Sequence, residues 1–395
     1  MLSIDEARAK ILAAVPPPVA EEVALAEAHG RILAEEVAAA HDVPPFANSA
    51  MDGFAVRGTG PAFTVIGESR AGAPFAEIVG PGEAVQISTG AVLPEGAEAV
   101  VPVERVTNGL HVSGFATHIE IEGAIAVGDH IRHAGEDLRA GGVVLPPGTR
   151  LSPAALGLAA GAGRATLRVA RRPRVAIVAT GDELVAPGQP LGPGQIHDSN
   201  ALALAALVSE AGAVVVASLR ARDDRADTTS VLREALDGAD LVLVSGGVSV
   251  GPHDHVKPAL AELGVQERFW RVALRPGKPT WFGTRHATMV IGLPGNPVSA
   301  LVTFVLFARP ALTALQGGVP APRRRVRLAH AVSRRSERDE ALRVRLDADG
   351  RAAATGPRQG SHVLSSMLDA DGLAIVPRGA GDLPAGALVE MEPLR

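Results

Sequence analysis

From Arg174 onward the chain carries apolar runs without polar alternation: "RVAIVAT", "AVVVASL", "DLVLVSG" and "TMVIGLPG". Uninterrupted runs of this kind are expected of strands buried on both faces. Helical stretches at 199–211, 226–237 and 255–263 lie between them. Strand–helix alternation sustained from residue 171 to 317 predicts a doubly wound, largely parallel sheet.

Either side of this region the period changes. Ser3 followed by Glu6 has the spacing of a capping box, which starts a short helix, and the apolar spacing predicts a second helix over 22–38. "HDVPPFANSAMDG" breaks it. Short β-type runs, "FTVIG", "EAVQIS", "EAVVPVE" and "THIEI", then alternate with Gly and Pro and predict a small all-β module. "PAALGLAAGAG" (153–163) reads as a closing helix. Beyond the linker-like "GVPAPRRRVR", the runs "VRLAHAV", "ALRVRLD", "LAIVP" and "ALVEM" alternate and predict a C-terminal β-barrel or sandwich. One uncharged run, 287–308, invites a membrane reading, but Pro294, Gly295, Asn296 and Pro297 interrupt it. What remains is shorter than the ~20 residues a spanning helix needs, so it reads as strand, turn and buried helix.

Composition narrows the function. A chain of 395 residues implies two to four domains. Aromatic residues make up 3%, with no Tyr, and the net charge is −5, which argues against a base-stacking or polyanion-binding surface. No Cys is present, so a disulfide framework, a thiolate metal site and a cysteine nucleophile are excluded. "MLSIDEARAK" has charges where a signal peptide needs an apolar stretch, and the expected location is cytoplasmic.

Ligands of open α/β sheets bind beyond the carboxyl ends of the strands. Asp182 and Glu183 follow strand 174–179, Asp223 and Asp224 follow strand 214–219, and "LVLVSGGVSVGPHD" ends on Asp254. A strand near 270–274 leads to "RPGKP", with Arg275 and Lys278. The glycine-rich stretch is no P-loop, because Pro252 and His253 stand where Lys and Ser/Thr should be. Backbone N–H groups of Gly246, Gly247, Ser249 and Gly251 can still form an anion nest, while a close strand-to-helix turn explains the glycines equally well. A carboxylate 4 Å from a phosphate charge is repelled by roughly 4 kcal/mol. Converging acids therefore make sense with a hard dication such as Mg²⁺ between them and the substrate. Taken singly, each acid reads more simply as a helix cap or solvated loop residue. Asp198, ahead of the helical run at 199–211, is favoured as a helix cap.

Together, "DVPPFANSAMDG", "ISTGAVLPEGAEAVV", "AGEDL", "ATGDEL", "GQIHDSN", "SGGVSVGPHD", "RPGKP", "GLPGNPVSA" and "RQGSH" resemble the molybdopterin molybdenumtransferase family (MoeA and the E domain of gephyrin). The resemblance runs in order across nearly the whole chain. It implies an N-terminal linking domain (1–45 and 138–170), an inserted elongated β module (46–137), an α/β molybdopterin-binding domain (171–317) and a C-terminal β-barrel (318–395). It also implies insertion of molybdate into adenylylated molybdopterin with Mg²⁺, releasing AMP and molybdenum cofactor. By motif match, Glu183, Asp223 and Asp254 become active-site acids and metal ligands, and Lys278 the basic residue of its loop. Asp52, Thr89 and Asp137 become residues given to the partner's site in a homodimer. Arg275, Pro294, Pro297, Arg343 and Ser361 join the nest residues as substrate contacts. Two residues depart from the pattern: Arg275 stands where Lys is expected, and His255 where Tyr is common.

Alternative readings are a molybdopterin adenylyltransferase, which uses a related α/β domain, and a non-enzymatic gephyrin-like scaffold. Transient partners implied are the adenylyltransferase and recipient molybdoenzymes, with no nucleic acid and no membrane.

Overall fold

The computed structural model describes residues 1–108, 118–248, 254–334, 337–356 and 359–394. The chain forms two compact units. One comprises Met1–Glu21, Gly30–Ala34 and Val169–Arg395, the other Glu22–His29 and Glu35–Arg168.

The first unit opens with α1 (Ile4–Leu12), started by the expected capping box: Ser3 Oγ accepts from Glu6 N–H, and the Glu6 carboxylate accepts from Ser3 N–H at 2.7 Å. Its Ile4, Ala7 and Ile11 enter the α/β core, so α1 packs with the α/β domain and not with the linking module expected to hold it. The central elements are β1 (Arg174–Thr180), α2 (Asn200–Glu210), β2 (Val214–Ala221), α3 (Arg225–Leu236), β3 (Leu241–Ser245), α4 (Val256–Glu262), β4 (Gln266–Trp270), β5 (Trp281–Arg285) and β6 (Thr288–Leu293). They form a sheet in the order β2-β1-β3-β6-β5-β4. β2, β1, β3 and β6 are parallel, and β5 runs antiparallel between β6 and β4. Val175, Ile177, Leu241 and Leu243 point into one core layer, Ala176, Val178, Val242 and Val244 into the other. This is the two-sided burial that the unalternating runs imply.

The strand expected near 270–274 is divided. Gln266–Trp270 lies in the central sheet, whereas Leu274–Arg275 pairs in parallel with the barrel strand at Asp339–Glu340. The apolar run after β6 is also longer than expected. Pro297–Leu315 is one 19-residue helical stretch, long and apolar enough to cross a membrane, but 78% of an apolar 18-residue length of it is buried inside the fold. A π turn at Phe304–Ala308 precedes Pro310. Proline lacks the N–H that an uninterrupted helix would use, and a π turn accommodates that loss.

The C-terminal strands are β7 (Arg324–Arg327), β8 (Asp339–Leu346), β9 (Ala352–Ala354), β10 (Gly372–Val376) and β11 (Leu388–Pro393). β8 pairs with β10, β10 with β11, and β11 with β7. β9 pairs with β8, and the Leu328–Ala352 bridge joins the end of β7 to β9, so the path closes into a small barrel. Val326, Leu328, Leu342, Val344, Val376, Val389 and Met391 form its core. Buried Glu392 of β11 meets Arg8 at 3.0 Å, Arg309 at 2.9 Å and Arg323 at 3.4 Å, tying α1, the long core helix and the barrel together.

In the second unit, six strands at Ala99–Pro102, Gly53–Val56, Glu83–Ile87, Ala62–Ser69, His118–Ile121 and Val106–Asn108 form one sheet in that order. Its core is Phe54, Val56, Phe63, Val101 and Ile119. The closing helix appears as Pro153–Gly161. The helix expected over 22–38 is absent. Ala20–Ala24 is a strand, Leu25–Glu27 a single 3₁₀ turn, and Val37–Ala38 a strand against Val143–Leu145. The Leu25 N–H donates to the Ala165 carbonyl at 2.9 Å. Pairing with distant chain overrides the helix propensity of "EEVALAEA" here.

Candidate active site

The strand order reverses at β1, whose chain neighbours go to β2 on one side and to β3 on the other. A crevice at the carboxyl ends follows from that topology. A cleft of about 520 Å³ lies there, lined among others by Thr180, Glu183, Asp198, Asn200, Asp223, Gly247, Asp254 and Pro297. A second cleft of about 400 Å³ is lined by Arg275, Lys278, Pro294, Ser299, Arg338, Gln359, Ser361 and His362. Asn296 lines both, so the acidic cleft and the basic cleft adjoin.

Local chemistry holds each acid at the rim. Asp182 N–H donates to the Asp223 carboxylate at 3.4 Å, and Asp223 N–H returns a bond to Asp182 at 3.3 Å. This clasp joins the ends of β1 and β2 and leaves Asp223 lining the cleft. Asp224 is the cap of α3, accepting from Asp227 N–H at 2.9 Å. Asp198 accepts from Ala201 N–H at 3.0 Å, the capping role favoured from sequence, while also lining the cleft.

The glycine turn differs from the expected nest. Gly246 N–H donates to the Leu293 carbonyl at 3.0 Å and is not available to an anion. Both glycines have positive φ, 93° and 63°. A Cβ on Gly246 would lie 2.6 Å from Thr180 Oγ1, and one on Gly247 2.5 Å from Val256 Cγ2. Close packing around the turn thus explains both glycines. Ser249 and Gly251 fall outside the described residues.

Among the described residues, no three acidic or histidine side chains converge as a metal cage. Glu183, Asp223 and Asp254 all line the one cleft at the strand ends.

The basic cleft is built on loops. Arg275 extends from the short strand beside β8, with its Nε 3.7 Å from Glu340. Ser361 is held where its carbonyl accepts from Val298 N–H at 3.1 Å, at the start of the long core helix. Arg343, expected to contact substrate, lines neither cleft. It is fully buried, its guanidinium donating to Ser366 Oγ at 3.2 Å and to the Ala341 and Gly360 carbonyls at 3.3 Å. Its N–H bonds the Gln359 side chain at 3.0 Å. Burial lowers its pKa to about 10, still far above neutrality, so it stays a cation that braces the loop bearing Gln359, Gly360 and Ser361.

The chain matches the MoeA N-terminal region (domain I and II) over residues 2–163, a probable molybdopterin binding domain over 176–314, and the MoeA C-terminal region (domain IV) over 325–394. It is 37% identical to a molybdopterin molybdenumtransferase of Haemophilus influenzae, covering 100% of this chain and 98% of that protein. The chain belongs to the MoeA family. A second relative, molybdopterin molybdenumtransferase 2 of Mycobacterium tuberculosis, is 39% identical, covering 93% of this chain and 94% of the other. A molybdopterin biosynthesis MoeA protein from Pyrococcus horikoshii has a similar structure, with a TM-score of 0.84 at 32% identity over 100% of this chain and 99% of that one.

In this MoeA-family chain the remaining sequence-assigned residues lie in the second unit. Asp52 accepts from Thr89 N–H at 2.6 Å and from the Thr89 hydroxyl at 2.9 Å, which brings those two together. Both hydrogen bonds, the backbone one first, hold the Asp52 carboxyl below the usual range. Asp137 is exposed, its N–H donating to the Val43 carbonyl at 3.0 Å. Sequence reasoning missed Asn200, whose Nδ2 bridges Ser245 Oγ at 2.9 Å and the Gly295 carbonyl at 2.7 Å. The available signal was its place in "GQIHDSN", read only for the Asp198 cap.

Proposed function

We infer that this chain is a molybdopterin molybdenumtransferase, inserting molybdate into adenylylated molybdopterin and releasing AMP and molybdenum cofactor. One observation carries this reading. The acidic cleft at the switch point adjoins, at Asn296, a cleft bearing Arg275 and Lys278. The phosphoanhydride and the oxyanion co-substrate are both anionic: a basic cleft would attract an oxyanion directly, and an acidic cleft beside it would take phosphate through a hard dication.

Cleavage of the phosphoanhydride depends on positioning and charge neutralisation more than on covalent chemistry. Lys278 and Arg275 would bind oxyanions, Lys278 as a compact charge and Arg275 as a planar fork. Gly247, which lines the cleft at the end of β3, would donate its N–H to a phosphate oxygen. The oxygen donors fit Mg²⁺, which takes one or two protein carboxylates with substrate phosphates completing its shell. One or two of Glu183, Asp223 and Asp254 would supply those carboxylates, and the bound ion would neutralise developing phosphate charge.

The same reading makes the enzyme a cytoplasmic homodimer in which Asp52, Thr89 and Asp137 of one subunit complete the site of the other. An adenylyltransferase would deliver the substrate and apo-molybdoenzymes would receive the product. Purified protein given adenylylated molybdopterin, Mg²⁺ and molybdate should release AMP in step with molybdate uptake. AMP release that ignores molybdate, or none at all, would sink the assignment.

A further inference from the structure

Trp270 closes β4, partly buried against the core layer that holds Val248 and Val256. Its indole N–H donates to the Val248 carbonyl at 3.0 Å. Lys257 Nζ lies 3.5 Å from the ring centroid, and Arg271 Cζ lies 3.9 Å from it. Cations prefer the face of an indole to any other aromatic ring. Arg271 reaches it with φ 74°, a conformation disfavoured for a residue with a Cβ, while its N–H is held by the Thr280 carbonyl at 2.9 Å.

Two of those contacts are made by the chain that follows the glycine turn. Val248 follows Gly246 and Gly247, and its side chain is pressed on Gly292, where a Cβ would lie 2.6 Å from Val248 Cγ1. Lys257 follows Asp254 on the first turn of α4, next to the Val256 that packs on Gly247. A tryptophan needed only for its bulk would not require its N–H to reach a carbonyl at the turn. Nor would it draw Lys257 from α4 over its ring in addition to the adjacent Arg271.

We propose that Trp270 is a positioning residue for the acidic cleft, holding Val248 and Lys257 together so that Gly247 N–H and the Asp254 carboxylate keep their places at the strand ends. The kinetic consequence rests on the reaction inferred above; the local mechanical one does not.

Amide exchange and kinetics of Trp270→Phe and Lys257→Met test this. Phe keeps a ring under the two cations and removes the N–H. In Trp270→Phe, exchange at Gly246, whose N–H is held by the Leu293 carbonyl, and at Ala259, whose N–H is held by the His255 carbonyl, should rise about tenfold, as expected for losing one buried hydrogen bond, with the interiors of β3 and β6 unchanged. The Mg²⁺ concentration for half-maximal AMP release should rise about fivefold, while the KM for molybdate, assigned to the cleft of Arg275 and Lys278, should not move. Lys257→Met should raise exchange at Ala259 and leave Gly246 protected. Unchanged exchange at Gly246 and Ala259 in both variants would overturn the proposal, as would a rise spread evenly through β3 and β6. If wild-type protein releases no AMP, the inferred reaction fails, and exchange alone still decides for or against Trp270.

Discussion

Two hydrogen bonds from Thr89 hold the exposed Asp52 carboxyl below the ordinary carboxylate range. A carboxyl lowered on folding contributes stability that is full above its unfolded pKa and lost as pH falls through the lowered value. Asp52 should therefore stay ionised well into acid. Thr89→Ala removes the hydroxyl and keeps the backbone N–H, so the Asp52 titration, followed by carboxyl carbon NMR, should move part-way back up. No movement would show that the hydroxyl contributes nothing. Lys278 is exposed in its cleft, and Lys278→Ala should weaken molybdate binding roughly tenfold at low salt, the scale of one charged hydrogen bond. Salt should weaken wild-type binding more than the variant's, because screening acts on the charge removed. Equal affinities at low salt would return Lys278 to the surface. The cleft-lining acids could be placed from the sequence because strand ends in an open sheet are where ligands sit, whereas Lys278 came from its "RPGKP" loop, which follows a strand of the barrel sheet. Arg343 was not. Residues 341–344 of β8 are buried on both faces, one toward the barrel and one toward the α/β core, so alternation gave no sign that this arginine points inward.

At the scale of elements, the unalternating runs at β1, β3 and β6 identified themselves, since strands covered on both faces have no polar side to show. Periodicity failed where partners are remote. The helix expected over 22–38 became strand and 3₁₀ turn, and β5 runs against its neighbours, which no local pattern encodes. The long core helix shows the same limit. Its two halves look separate in sequence because Pro310 interrupts them, yet the π turn at Phe304–Ala308 carries the helical path through. Phe304 and Phe307 are fully buried in that turn. Phe307→Ala should cost about 3–5 kcal/mol of stability, the range for emptying a phenylalanine site in a tight core. Urea unfolding measures it. A loss under about 1 kcal/mol would mean that the π turn relaxes to fill the space.

At the scale of the molecule, the sequence placed acids in the α/β domain and again in the N-terminal half, and the structure keeps these sets in different compact units. Among the described residues, the barrel closes through the Leu328–Ala352 bridge and the Ala329 N–H on the Ala352 carbonyl, between segments whose sequences show only alternation. The division of acids bears directly on the dimer. If each site takes its cleft from one subunit and Asp52 from the other, two-fold symmetry yields two composite sites. Asp52→Ala and Asp254→Ala homodimers should then each be nearly inactive. Mixing them in equal amounts with free subunit exchange makes half of the dimers mixed. A mixed dimer pairs the intact cleft of the Asp52→Ala chain with the intact Asp52 of the other chain, and gathers both lesions in its second site. About a quarter of the wild-type site number should therefore reappear as activity. Recovery must track exchange, measured by mass spectrometry of differently tagged chains. Complete exchange with no recovered AMP release would place every essential group of a site within one chain, and would leave Asp52 and Thr89 as a loop contact of the second unit.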